Sequence, residues 1–387
     1  VRAGGRTRRP ALAGLCLVEF CSWGVLYYTL PVLGVTITEA TGWPSLAVPA
    51  VYTLGLLLAA ALAPLAGRCV DQFGPRRVMA FGSLVGAAGM ILSTTGPSLL
   101  VFTLSWCVVG VAQAATLYPP AFSAAHQWFG AGGWPLTVIT LAGGISSTAL
   151  APVIAGLGDE LGWRQAVLVL ATGYGVLSTV AAVVLLTPHW RRPERRGREH
   201  REYVDTIRRS GAFRASRAAL AIAALGLYAV TLTLIPLLTE RGVPYREAAV
   251  IFGLVGAGQV LGRLAFHPLS RFGDPRSRLL VQVAASAVVI TVLGVVHGPL
   301  LAFALAAVLA GAVRGAHTLA AATAVSDRWG SEAYATILGR FHAPIAAAMA
   351  LGPAAGAAVA HLTGSYATAA LVFATLTLLA VALIRKA

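Results

Sequence analysis

Apolar runs of roughly 20 residues, separated by short polar turns, recur from one end of the chain to the other. A run of that length spans the hydrocarbon core of a bilayer as a helix, so the pattern predicts a polytopic, all-α membrane protein. Twelve spans are expected, at about 11–35, 45–67, 78–95, 98–122, 135–157, 164–186, 214–238, 246–266, 278–297, 299–325, 333–361 and 365–384. One connection is long and polar, "TPHWRRPERRGREHREYVDTIRRSGAF" at 187–213. It divides the chain into an N-terminal six-helix bundle, 1–186, a basic linker, 187–213, and a C-terminal six-helix bundle, 214–387.

The halves align at an almost constant shift. Gly110 and Trp128 fall over Gly311 and Trp329, and Glu39 over Glu240, each 201 residues on. Pro44 falls over Pro244 at 200, and Phe73-Gly74 over Phe272-Gly273 at 199. A shared offset over several positions indicates a duplicated six-span unit, which is characteristic of secondary transporters.

Composition sharpens this picture. The 387 residues are 57% hydrophobic and 11% charged, against about 25% charged in an ordinary soluble chain. The net charge of +15 would suit a polyanionic partner, but its distribution points to topology instead. Arg2, Arg6, Arg8 and Arg9, the loop arginines 68, 76 and 77, the linker arginines, Arg271, Arg276, Arg278, Arg328, Arg385 and Lys386 all fall on one side. Only Arg164, Arg241 and Arg246 fall on the other. Positive charge is retained inside during insertion, so both termini are expected in the cytoplasm and the protein in the cytoplasmic membrane. No nucleic-acid partner is expected; the partners are a small-molecule solute and the bilayer, and the chain is expected to be monomeric. No signal-peptide cleavage pattern precedes the first span, which is expected to be retained. Cys16, Cys21, Cys69 and Cys107 lack metal-ligand spacing and read as small hydrophobes. No metal set, nucleophile elbow or phosphate-cradling loop is present, so neither an enzyme nor a cofactor is expected, and a proton gradient is the expected driving force.

Between spans 2 and 3 lies "GRCVDQFGPRR", Gly67 to Arg77. Gly74 and Pro75 suit a tight turn, and Asp71 can cap a helix end or pair with an arginine. This Gly-x3-Asp-x2-Gly-x-Arg-Arg pattern resembles the loop signature of the major facilitator superfamily, and twelve spans in two halves agree with that fold. The resemblance implies a cytoplasmic latch made of Gly67, Asp71, Gly74, Arg76 and Arg77. The second copy, "FHPLSRFGDPRSR", has Ser270 in place of Asp71, and its latch reads as degenerate.

Few charges lie well inside the spans: Glu19 in span 1, Arg263 in span 8, Arg314 in span 10 and Arg340 in span 11, joined by His317 and His342. The interiors of spans 3, 6, 9 and 12 carry none, and in the family those four form the outer scaffold. Every costly group therefore falls on a helix that the resemblance assigns to the cavity. Arg314 is mid-span, where insertion of an arginine costs about 2.5–3.5 kcal/mol. Arg263 can snorkel from near the end of its span, and Arg340 is expected as a gate or as the lower wall of the cavity. Glu19, Trp23 and Tyr27 recur every four residues and form one stripe; Tyr228 on span 7 supplies a related patch, and Gln113 is the first-half counterpart of Arg314. Three arginines against one glutamate leave positive charge that an anionic, carboxylate-bearing solute would balance. The expected solute-binding set is thus Arg314, His317, Arg263, Arg340, Gln113, Tyr27, Trp23 and Tyr228, with Glu19 or His317 carrying a coupled proton.

Within the superfamily, "GQVLGR" in span 8 and "EFCSWGVLYY" in span 1 are similar to the bacterial monocarboxylate-transporter-like branch. That branch carries an Asp-x3-Arg pair on span 8, where this chain has Gln259 and Arg263. A proton-coupled exporter of a hydrophobic, drug-like metabolite is the alternative. Its span 4 arginine would fall at Trp106, and its span 5 Gly-Pro is reduced to Ala151-Pro152.

Overall fold

The computed structural model describes residues 5–129, 133–190, 199–269, 273–329 and 334–385. Linker residues 191–198, with five of the expected cytoplasmic arginines, lie outside them, as do Ser270 and Arg271 of the second loop copy. Among the described residues all regular structure is helical, as a bilayer requires, because a helix satisfies its backbone groups within itself. The chain forms two compact units, Val1–Pro193 and Glu194–Ala387.

In the first unit, α1 (Gly5–Cys21) passes through a π-helical turn, Ser22–Tyr27, into α2 (Thr29–Thr41). Then come α3 (Ala47–Phe73), α4 (Pro75–Leu92), α5 (Leu99–Thr116), α6 (Tyr118–Phe129), α7 (Gly133–Leu161) and α8 (Trp163–Leu185). The second unit has α9 (Glu199–Arg209), α10 (Gly211–Leu232), α11 (Leu234–Glu240), α12 (Tyr245–Leu269), α13 (Pro275–Val295), α14 (Leu300–Trp329), α15 (Tyr334–Thr363) and α16 (Tyr366–Arg385). Eleven segments of the described residues are long and apolar enough to cross a membrane. The twelfth expected span is α4, whose first turn carries Arg76 and Arg77.

Three expected spans are broken. Span 1 contains the π-helical turn, marked by the wide Tyr28 N–H to Trp23 carbonyl bond of 3.1 Å. Span 4 stops at Leu117, just before Pro119 and Pro120, which cannot donate to the preceding turn. Span 7 breaks at Thr233, ahead of Pro236. The linker is also more than a polar tether, because α9 is a helix.

The glycines shared by the halves mark two matching crossings. A Cβ on Gly110 of α5 would run into the Gly55 carbonyl of α3, and one on Gly311 of α14 into the Val255 carbonyl of α12. Small residues at such points let helix backbones touch. Around these crossings each unit builds its own core. Leu15, Met79, Trp128 and Leu186 meet in the first; Phe213, Leu279, Val325 and Phe341 meet in the second. The outward faces of α4, α8, α13 and α16 are apolar and exposed, as at Phe81, Val180, Val281 and Leu379, which suits contact with lipid.

The α3–α4 turn departs from one expectation. Gly74 takes φ +81°, which favours glycine, and begins α4 without a side-chain cap. Asp71 lies exposed in the last turn of α3 and makes neither cap nor ion pair among the described residues. Its backbone carbonyl instead accepts a 3.1 Å bond from Trp190 Nε1, and the Trp190 ring covers Gly74. The cap appears in the second unit. There Asp274 accepts from the Ser277 backbone N–H at 2.6 Å, which holds its carboxyl below the usual range. The bond therefore stabilises α13 at neutral pH and is lost as pH falls through that lowered value.

Candidate functional site

Glu19 lies in the last turn of α1 and is fully buried, at 0% exposure. Its Oε2 accepts from Trp23 Nε1 at 2.9 Å, and its Oε1 has no hydrogen-bond partner among the described residues. The four-residue spacing read from the sequence thus yields a direct contact. The π-helical turn carries Trp23 and Tyr27 into an aromatic group. The Trp23 ring lies 4.7 Å from Tyr27 and 4.7 Å from Tyr118, while Tyr27 meets Tyr28 at 5.0 Å and Tyr52 at 5.7 Å. Tyr52 and Tyr118 were not expected here. The signal for Tyr118 is its place at the start of α6, directly before the two prolines that break span 4.

Gln113 is buried on α5, but its amide nitrogen donates to the Leu26 carbonyl at 2.8 Å. That bond supports the π-helical turn, so Gln113 joins the group with only its Oε1 uncommitted. No arginine or lysine stands in the interior of a first-unit span.

In the second unit Arg314 sits midway along α14 at 1% exposure. Its guanidinium carbon lies 3.9 Å from the centre of the Tyr228 ring, and Nη1 donates to Thr231 Oγ1 at 3.1 Å. Both groups come from α10, one turn apart, and neither is charged. They orient the guanidinium plane. Asp327, the acid of α14, lies 13 residues away, or about 20 Å along the helix, and pairs with Arg278 at 2.8 Å. Arg263 on α12 is also buried, at 5% exposure, with Nη2 3.5 Å from Gln259 Oε1. His317 follows Arg314 by one turn and is 2% exposed, with no hydrogen-bond partner on either ring nitrogen among the described residues.

Arg340 has a partner that the sequence reading did not name. It is exposed at the start of the membrane-crossing part of α15 and pairs with Asp205 of α9 at 2.7 Å. The pair joins α15 to the linker helix α9, at a place where the sequence expected a gate or the lower wall of the cavity. The sequence treated 187–213 as a polar tether and gave no reason to seek a partner there. Of the latch residues, Arg76 and Arg77 are exposed, and Gly67 has open space where a Cβ would stand.

Each unit is thus built of apolar helices, the first with a buried acid beside aromatics and the second with buried arginines. The model of the Major Facilitator Superfamily matches residues 15–299. The chain belongs to that superfamily. Its fold agrees with solved members: the nucleoside transporter NupG superposes with a TM-score of 0.73 at 16% identity, covering 97% of this chain and 98% of that one. Among curated proteins, the riboflavin transporter RibJ of Trypanosoma brucei brucei is 30% identical over 188 residues, 45% of this chain and 34% of RibJ. Monocarboxylate transporter 3 of Rattus norvegicus is 27% identical over 223 residues, 55% of this chain and 45% of the rat protein. The aligned part thus covers less than half of each of these relatives. As a member of that superfamily, the chain is a multi-pass membrane protein.

Proposed function

We propose that this superfamily member carries a small carboxylate-bearing solute, with Arg314 as the carboxylate clamp and Glu19 as the group that takes the coupled proton. The observation that carries the reading is a guanidinium buried mid-helix, its plane oriented by the Tyr228 ring and the Thr231 hydroxyl. An arginine in such a place is retained at a cost, and a planar carboxylate is the ligand its fork fits best. Arg263 adds a second buried positive charge in the same unit. The partial likeness to a monocarboxylate transporter supports this class of solute. Glu19 is the one acid in the interior of the spans. Buried without a cationic neighbour on its own helix, it suits a carboxyl that gains and loses a proton during the cycle. Positive charge on one side of the sequence supports cytoplasmic termini in the cytoplasmic membrane. The α3–α4 turn, with Asp71 exposed and its backbone held by Trp190, serves as the cytoplasmic latch in this reading.

Binding of short-chain monocarboxylates to purified protein, measured by calorimetry, tests the clamp. Arg314→Ala is expected to weaken binding at least tenfold, in line with the roughly 2–5 kcal/mol lost when a buried charged partner is removed. Arg314→Lys is expected to recover part of it, because lysine restores the charge but not the two-pronged geometry. Unchanged affinity in Arg314→Ala would remove the clamp.

A further inference from the structure

His317 is not used by that mechanism, yet it is built into the same helix as the clamp. Three residues separate it from Arg314, which places it about 4.5 Å farther along the α14 axis and roughly 60° round, on the same face. It is 2% exposed, and both ring nitrogens lack a hydrogen-bond partner among the described residues. The polar groups on the elements around α14 are engaged elsewhere. On α14, the Thr318 hydroxyl is turned to the Arg314 carbonyl at 3.4 Å. On α10, Thr231 and Tyr228 hold the Arg314 guanidinium. On α12, the Gln259 backbone packs against Gly315, and the Gln259 carboxamide oxygen lies 3.5 Å from Arg263. His342 of α15 lies within electrostatic reach of the ring. None of these supplies the hydrogen bonds that a neutral imidazole offers, one donated and one accepted.

Buried polar groups in proteins are nearly always paired, and those that are not call for a specific explanation. Resting on the Arg314 reading, we infer that His317 is a second recognition point, which selects carboxylates carrying a hydroxyl or carbonyl oxygen several bonds from the carboxylate. A hydroxyl can answer whichever ring nitrogen faces it, donating to the bare one or accepting from the protonated one. The spacing follows from the helix. The guanidinium is drawn sideways to α10, whereas the imidazole stands one turn farther along α14. An oxygen on the carbon next to the carboxylate therefore falls short of His317. One at the far end of a four-carbon chain reaches it.

Butyrate, 2-hydroxybutyrate and 4-hydroxybutyrate test this by calorimetry on the full-length protein. Wild type is expected to bind 4-hydroxybutyrate roughly tenfold more tightly than butyrate, with 2-hydroxybutyrate close to butyrate. His317→Leu is expected to erase that preference, bringing 4-hydroxybutyrate down to the affinity the same variant shows for butyrate. Its thermal midpoint is expected to hold or rise, because the change removes an unpartnered buried polar group. Butyrate binding with no preference for the 4-hydroxy acid overturns the role of His317 and leaves the clamp standing. So does a preference that survives in His317→Leu, or a fall in midpoint with binding intact, which marks a packing role. Failure of all three acids to bind wild type overturns the Arg314 reading together with this one.

Discussion

A carboxylate at 0% exposure with one unpartnered oxygen is costly to keep ionised, so Glu19 is the residue where proton exchange is cheapest to arrange. Replacement by glutamine keeps the shape and the acceptor for Trp23 but removes the titrating group. Glu19→Gln is expected to retain exchange of solute across a membrane and to lose accumulation driven by a proton gradient, as measured by counterflow and gradient-driven uptake in proteoliposomes. Accumulation that survives the change assigns the proton to another group. Residue-level chemistry was readable from the sequence where it depended on local spacing. The four-residue interval joined Glu19 to Trp23, and an arginine amid apolar residues marked Arg314. Contacts across the sequence were not readable in this way. Nothing near Arg340 announced Asp205, 135 positions earlier, and nothing near Gln113 announced a carbonyl on a π-helical turn.

At the level of elements, paired glycines set how closely helices approach. The crossing of α12 on α14 is the tightest test of this, because Gly258, Gly262, Gly311 and Gly315 all bring backbone against backbone. Gly311→Ala is expected to destabilise the purified protein by about 1–3 kcal/mol, the usual cost of overpacking a tight site. Gly339→Ala is expected to hold or raise the thermal midpoint, since open space lies where its Cβ would stand. Equal midpoints for the two variants would refute the packing account. The 201-residue offset had already tied Gly110 to Gly311, although it could not tell that both serve a helix crossing. Breaks within spans were missed for a related reason. Hydropathy registers a continuous apolar run, and only Pro119, Pro120 and Pro236 hinted at two of the three interruptions. The π-helical turn at Ser22–Tyr27 has no comparable mark, because it depends on Gln113 from another helix.

The whole molecule was the most legible scale. Twelve apolar runs, a duplicated half and the Gly67–Arg77 turn pointed to the major facilitator fold, and the match over residues 15–299 and the likeness to NupG bear that out. Spans are long and repetitive, so their signal survives local errors of several residues at each end. The proposed choice of solute depends instead on a few buried side chains, above all Arg314 at mid-helix and Glu19 beside Trp23. Uptake of a radiolabelled short-chain carboxylate into proteoliposomes, under an acid-outside gradient, tests their combined action most directly. The account predicts accumulation above the bath concentration that collapses when a protonophore dissipates the gradient. Carboxylate flux indifferent to the gradient, or no carboxylate flux while a neutral aromatic solute enters, would contradict it.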